Sequence, residues 1–146
     1  MTLSSCINNA RKRLTEAGFA SSEISWMIRD IFAALKGYTQ VDLITRSDDE
    51  ITDWLASHVD GIVTQVCAGT PIQYALGQTR WMGMTLKVTP SVLIPRPETE
   101  QLADMAIADA GDRTDLRVLD IGTGSGCIAI AMARALRFSE VTAMDI

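Results

Sequence analysis

Three glycines at alternate positions, Gly122, Gly124 and Gly126, lie in the run Val118-Leu119-Asp120-Ile121-Gly122-Thr123-Gly124-Ser125-Gly126-Cys127-Ile128-Ala129-Ile130-Ala131-Met132-Ala133. Before them, Arg117 to Ile121 favours a β-strand; after them, Cys127 to Arg134 is a small-residue apolar pattern suited to a helix packed on a sheet. Glycine lets the backbone turn sharply and approach a ligand more closely than a Cβ would permit. The amides that open the following helix would face that ligand with partial positive charge. The spacing therefore predicts a ligand seated on the loop.

The kind of ligand is narrowed by what surrounds the glycines. A dinucleotide fingerprint wants its third glycine one place later, where this chain has Cys127. A phosphate-gripping P-loop needs a Lys-Ser/Thr pair closing the loop, and no lysine follows Lys87. The remaining common user of Gly-x-Gly-x-Gly after a first strand is a nucleoside cofactor without a pyrophosphate, with S-adenosylmethionine the leading case. Asp145 supports that reading. It closes a second predicted strand, Glu140 to Asp145, at roughly the 20-residue spacing where an acid accepts the ribose hydroxyl hydrogens. The bland alternative is a glycine-rich βα turn that binds nothing.

The elements that must position this loop begin with a chain of 146 residues, 47% hydrophobic and 21% charged, enough for one small domain and part of another. A net charge of -5 argues against non-specific binding to a nucleic-acid backbone. The one basic cluster, Arg11-Lys12-Arg13, reads as a solvated helix face. Cys6, Cys67 and Cys127 are odd in number and widely separated, which fits neither a zinc site nor a disulfide framework and suggests a reducing, cytoplasmic setting. No apolar run is long enough to span a membrane, and no signal core is present.

Residues 1–69 read as an N-terminal helical bundle. Leu3, Ile7, Ala10, Leu14 and Ala17 form one stripe, ended by Gly18; Ser21 or Ser22 can cap a second helix carrying Ile24, Met27, Ile28, Ile31, Ala34 and Leu35, ended at Gly37. Thr39 caps a short third helix through Ile44. The Ser47-Asp48-Asp49-Glu50 cluster suggests the start of a fourth, which would bury Ile51, Trp54, Leu55, Val59, Ile62, Val63 and Val66 before Gly69. His58, the sole histidine, reads as helix surface rather than a base, and Trp26 and Trp54 as core.

Residues 70–97 read as a linker: one helical turn at Thr70 to Gly77, then a hairpin of Thr79 to Met82 and Met84 to Val88 around Gly83, bridging two domains. Pro90, Pro95 and Pro97 keep Ser91 to Glu100 extended. Residues 98–146 hold a helix from about Glu98 to Ala110, with Leu102, Met105, Ala106 and Ala110 inward, and then the glycine-loop unit.

Three of these stretches occur together: Gln73-Tyr74 with Leu76-Gly77; Val92-Leu93-Ile94-Pro95-Arg96-Pro97-Glu98-Thr99-Glu100; and Leu119-Asp120-Ile121-Gly122-Thr123-Gly124-Ser125-Gly126. The series closely resembles the HemK/PrmC family, the peptide chain release factor glutamine methyltransferases. The glycine loop alone indicates a methyltransferase; the Ile-Pro-Arg-Pro-Glu-Thr-Glu stretch is far more specific.

The resemblance implies an α plus α/β fold: an N-terminal bundle that engages the release factor, a hairpin linker, and the start of a Rossmann-like class I methyltransferase domain. It implies methyl transfer from S-adenosylmethionine to the glutamine side-chain amide nitrogen of a Gly-Gly-Gln motif. Gly122, Thr123, Gly124, Ser125 and Gly126 would pass beneath the methionine part of the cofactor, and Asp145 would hold the ribose. Arg96, Glu98 and Thr99 either line the pocket or serve structurally, with Arg96 pairing to Glu98 or Glu100 at a corner. The family's Asn-Pro-Pro-Tyr motif, which aligns the substrate amide, does not occur among these 146 residues. No catalytic residue and no metal ligand is therefore assigned, and the expectation is an N-terminal part of a longer enzyme with one apolar sheet face uncovered. Two other readings stay open: a non-catalytic module that binds release factor, and a methyltransferase acting on another protein or on a nucleic-acid amine, which the acidic charge disfavours. No membrane partner and no direct nucleic-acid partner is expected.

Overall fold

The computed structural model describes all residues from Met1 to Ile146, which divide into two compact units, Met1–Leu76 and Gly77–Ile146. The first is helical. Helices α1 (Leu3–Glu16), α2 (Ser21–Lys36), α3 (Gln40–Thr45), α4 (Asp53–Cys67) and α5 (Ile72–Leu76) follow one another with short turns. The expected stripes of α1, α2 and α4 meet in a single core, in which Phe32, Leu3, Leu14, Ile31 and Val63 are no more than 1% exposed. The single turn α5 adds Ile72 to that core, so part of the stretch expected as linker belongs to the bundle.

Local chemistry accounts for the helix ends. Thr39 and Asp42 make a reciprocal capping box at α3: the Thr39 hydroxyl accepts from Asp42 N at 3.2 Å, and Asp42 Oδ2 accepts from Thr39 N at 2.8 Å. Gly37 closes α2 with φ +69, a conformation that glycine adopts without strain. Three expectations are corrected. The residue flanking the start of α2 is Ala20, not a serine, and makes no side-chain cap; Glu23 reaches back to accept from Ala20 N at 2.9 Å, so only this half of a capping box is present. Ser47 to Glu50 do not open α4, which Thr52 caps by accepting from Leu55 N. Instead, Ser47 and Asp49 offer carbonyls to Ser4 N and Leu3 N, both at 2.9 Å, and satisfy the otherwise unpaired first amides of α1. Trp54, finally, is 52% exposed: it sits at the first turn of α4, outside the Leu55, Val59, Ile62, Val63 and Val66 stripe, and stacks on His58 at 4.0 Å between ring centroids.

The second unit begins with the hairpin of β1 (Gln78–Trp81) and β2 (Met84–Lys87). Met82 and Gly83 form its two-residue turn, both with positive φ, as the twist of a tight hairpin requires. Helix α6 (Pro97–Ala110) follows, with Pro97 in its first turn, then β3 (Arg117–Ile121), α7 (Cys127–Ala135) and β4 (Glu140–Met144). β3 and β4 pair in parallel through the α7 crossover. The hairpin packs inside this unit: Trp81, Met84 and Leu86 form one buried cluster with Ala103, Cys127 and Ala131.

Helix α6 turns inward only part of the face expected: Ala106 and Ala110 face inward, but Leu102 and Met105 do not. Ala103 and Ala110 are buried, with Ala106 and Ile107 packed beside Met132 and Val118, whereas Leu102 is 57% and Met105 71% exposed. Small side chains let α6 and α7 approach closely, and that contact fixes the helix's rotation. On β3, Val118 and Asp120 are half-buried on one side while Leu119 and Ile121 are exposed on the other.

The fully buried Phe32 anchors the bundle. Phe32→Ala should lower the unfolding free energy of that unit by about 3–5 kcal/mol, whereas Val41→Ala on the exposed side of α3 should change it by less than about 0.5 kcal/mol. Urea unfolding followed by circular dichroism checks both.

Candidate functional site

The glycine loop takes its shape from the register of two parallel strands. β3 and β4 are paired from Arg117 opposite Glu140 to Ile121 opposite Met144, so both end at one level and deliver Gly122 and Asp145 side by side. The Met144 carbonyl accepts from Gly122 N at 2.8 Å and from Thr123 N at 3.0 Å, and Gly126 N donates to the Thr123 carbonyl at 2.8 Å. Gly122, Gly124 and Gly126 have φ of +72, +54 and +77. A Cβ at Gly122 or Gly124 would meet nothing within 4 Å, so backbone conformation rather than internal crowding selects glycine there. The space above those glycines is open to a ligand.

Asp120 holds the loop from beneath. Its Oδ2 accepts from Thr123 Oγ1 at 2.7 Å and from Ala129 N at 3.2 Å, tying the loop's second residue to the first turn of α7. This residue was not singled out from the sequence. The signal was present all the same: an acid in an otherwise apolar strand core, two places after Val118 and so on the same, helix-covered side.

Asp145 is exposed, and both of its oxygens are engaged: Oδ1 accepts from Ile146 N at 2.9 Å and Oδ2 from Gly124 N at 2.5 Å. The Ile146 amide first, and the Gly124 amide second, hold its pKa below the ordinary carboxylate range. Each oxygen keeps a further lone pair. An ionised carboxylate of this kind accepts well from the two hydroxyls of a vicinal diol.

Facing the loop is the extended segment Ser91 to Arg96, with Thr99 of α6. The two sides enclose a cleft of about 480 Å³, lined also by Asp120, Gly122, Thr123, Gly124, Ser125, Cys127 and Asp145. That size suits a nucleoside-sized molecule. Arg96 and Thr99 thus join the glycine loop, while Glu98, exposed in the first turn of α6, does not line the cleft. Arg96 forms no ion pair with Glu98 or Glu100. Glu100 Oε1 accepts instead from Met82 N at 3.0 Å, and the Arg96 carbonyl accepts from Trp81 Nε1 at 3.2 Å. The buried Trp81 and the hairpin turn therefore anchor the Arg96 backbone and leave its guanidinium free at the cleft. His58 belongs to the bundle, where Nδ1 lies 2.7 Å from the Trp54 carbonyl. No helix is long and apolar enough to cross a membrane.

Fold and site together define a helical bundle joined to an α/β unit with a ligand cleft at the carboxyl ends of its parallel strands. The family profile described as the PrmC N-terminal domain matches residues 5–77, half of the chain. The chain belongs to the PrmC family and carries its N-terminal domain. It is 39% identical over its whole length to the release factor glutamine methyltransferase of Streptococcus pneumoniae, and 36% identical to that of Koribacter versatilis, covering 51% of each relative. Over 75 residues it is 51% identical to the enzyme of the same name from Gloeobacter violaceus, covering 26% of it. The chain spans about half the length of the curated relatives it matches.

Two outcomes follow from the loop's hydrogen bonds. Removing the Asp120 carboxylate with Asp120→Ala should destabilise the loop by about 1–3 kcal/mol, seen as faster hydrogen exchange at the Ala129 amide, and retained protection would refute the bridge. For Asp145, a depressed folded pKa means that its contribution is present above the unfolded pKa and is lost as pH falls through the folded one. The Gly124 amide resonance should accordingly titrate with a midpoint below that of an ordinary aspartate.

Proposed function

We propose that this chain supplies the cofactor-binding and partner-engaging parts of a release factor glutamine methyltransferase, whose reaction moves a methyl group from S-adenosylmethionine to the side-chain amide nitrogen of the glutamine in a release factor's Gly-Gly-Gln motif. The observation that carries this reading is the convergence of its two motif segments, the Ile94-Pro95-Arg96 stretch and the loop Gly122 to Gly126, on one cleft with Asp145 at its edge. The names of the relatives support the reaction class.

The cleft fits the cofactor on its own geometry: open space above Gly122 and Gly124, an ionised acid beside them, and no lysine for a phosphate. In this reading the strands and α7 are the start of a Rossmann-like domain. Backbone from Gly122 through Gly126, with Thr123 and Ser125, underlies the methionine part, and Asp145 accepts from the ribose hydroxyls. When bound, S-adenosylmethionine supplies a methyl group on a sulfonium leaving group. An amide nitrogen is a weak nucleophile, so the protein's task is to align it and to exclude water. Arg96 and Thr99 line the facing wall of the cleft and contribute to excluding water. No residue of this chain is assigned to aligning the glutamine amide, because the Asn-Pro-Pro-Tyr motif is not among its residues.

A second reading, in which this chain engages release factor through its helical bundle without methylating it, is favoured by the bundle forming a compact unit, Met1–Leu76, with a core of its own. Calorimetric titration with S-adenosylmethionine, alongside assay of methyl transfer to release factor, separates the two. The first reading expects micromolar binding, weakened about tenfold or more by Asp145→Ala, since the charged acceptor for the ribose hydroxyls is then lost. A folded chain that binds release factor but not cofactor supports the second.

A further inference from the structure

The bundle carries a groove that the cofactor cleft does not use. It lies between α1, α2 and α3, encloses about 470 Å³, and has Ile7 and Ile28 at its floor, both at least 92% buried. Arg11 of α1 and Arg29 of α2 stand on its walls, and Ile44 of α3, 68% exposed, on its rim.

The charges around this groove are unusual for a chain of net charge -5. No Asp or Glu lines it. The basic cluster that looks uniform in the sequence is divided by the fold: Lys12 pairs with Glu16 at 3.9 Å, Arg13 with Asp60 and with Thr64 at 2.8 Å, whereas Arg11 has no ion-pair partner. Arg29 has none either, and the remaining cation beside α3, Arg46, is committed to Asp49 at 2.8 Å. Two guanidiniums are thus held beside an apolar floor with their donors unused. Arginine in that setting suits a carboxylate, which it can grip with two parallel hydrogen bonds. The floor and Ile44 add a place for an aliphatic side chain.

Resting on the functional reading above, we infer that this groove docks an acidic segment of the release factor, carrying at least one aliphatic side chain between or beside its carboxylates. Its role is to fix where the substrate protein sits and to speed its approach, since unpaired charges on an interface rim act chiefly on encounter rate and register. The apolar floor distinguishes the groove from a phosphate-backbone track, which needs more clustered cations than two.

The test is a titration of the isotopically labelled full chain with a bacterial release factor bearing Gly-Gly-Gln, followed by nuclear magnetic resonance, together with affinities for the wild type, for Arg11→Glu/Arg29→Glu and for Arg11→Gln/Arg29→Gln. Both arginines are exposed, and an unchanged circular dichroism melt confirms that the variants fold. The proposal expects shifts concentrated at the Arg11 and Arg29 side-chain resonances and at Ile44. It also expects binding at least about tenfold weaker in the charge reversal and less so in the glutamine pair. Release-factor binding with shifts elsewhere and equal affinity in all three proteins overturns the groove but leaves the proposed function standing. No binding by the folded wild type overturns the release-factor reading itself, and this occupant with it. The same shifts produced by single-stranded RNA at physiological salt, or by the chain's own self-association, overturn the acidic protein partner.

Discussion

One carboxylate oxygen carries the architecture of the candidate site. Asp120 Oδ2 receives the Thr123 hydroxyl and the Ala129 amide, and so joins the end of β3, the glycine loop and the first turn of α7. A loop of three positive-φ glycines has a large entropy in the unfolded chain and few side chains to pack. Its shape must come from hydrogen bonds. The Met144 carbonyl provides two from the neighbouring strand, and Asp120 provides two from below. The upper side of the loop is left open as a result, facing the cleft.

The opposite wall of that cleft is organised by a different residue class. The segment from Ser91 to Arg96 has almost no regular structure, and prolines at 95 and 97 stiffen it without supplying partners. Trp81 supplies what they do not. Buried to 2% exposure with Met84 and Leu86, it fixes the Arg96 carbonyl, while Glu100 takes the Met82 amide. The hairpin is therefore a buttress for the cleft wall within its own unit. Arg96 reaches the cleft because its backbone is held and its side chain is not.

In the helical unit, pairing decides which charges are available. Arg13 and Lys12 are spent on Asp60 and Glu16, and Asp42 on the cap of α3, where the Thr39 hydroxyl and then its amide hold the carboxyl below its usual pKa. Arg11 and Arg29 remain. Their position beside Ile7 and Ile28 gives the bundle a polar-and-apolar groove rather than a uniformly solvated face.

What the sequence determined by itself are the features governed by residues near one another in the chain. The helices of the bundle follow from apolar spacing; the Thr39 cap, Gly83 in the hairpin turn and the three loop glycines follow from local backbone preference, because a positive φ or an unpaired amide is answered there by the residue at that position or a few places away. Tertiary structure alone decided matters of distance and rotation. Ser47 to Glu50 read as a helix start until Leu3 and Ser4 claimed their carbonyls, and Leu102 and Met105 read as core until the small face of α6 met α7. Trp54 looked buried because its type favours burial, yet the stripe of α4 passes beside it. Asp120, separated from Ala129 by a whole loop, and Arg11, distinguished from Arg13 only by the reach of Asp60, acquire their roles from partners that no local pattern specifies.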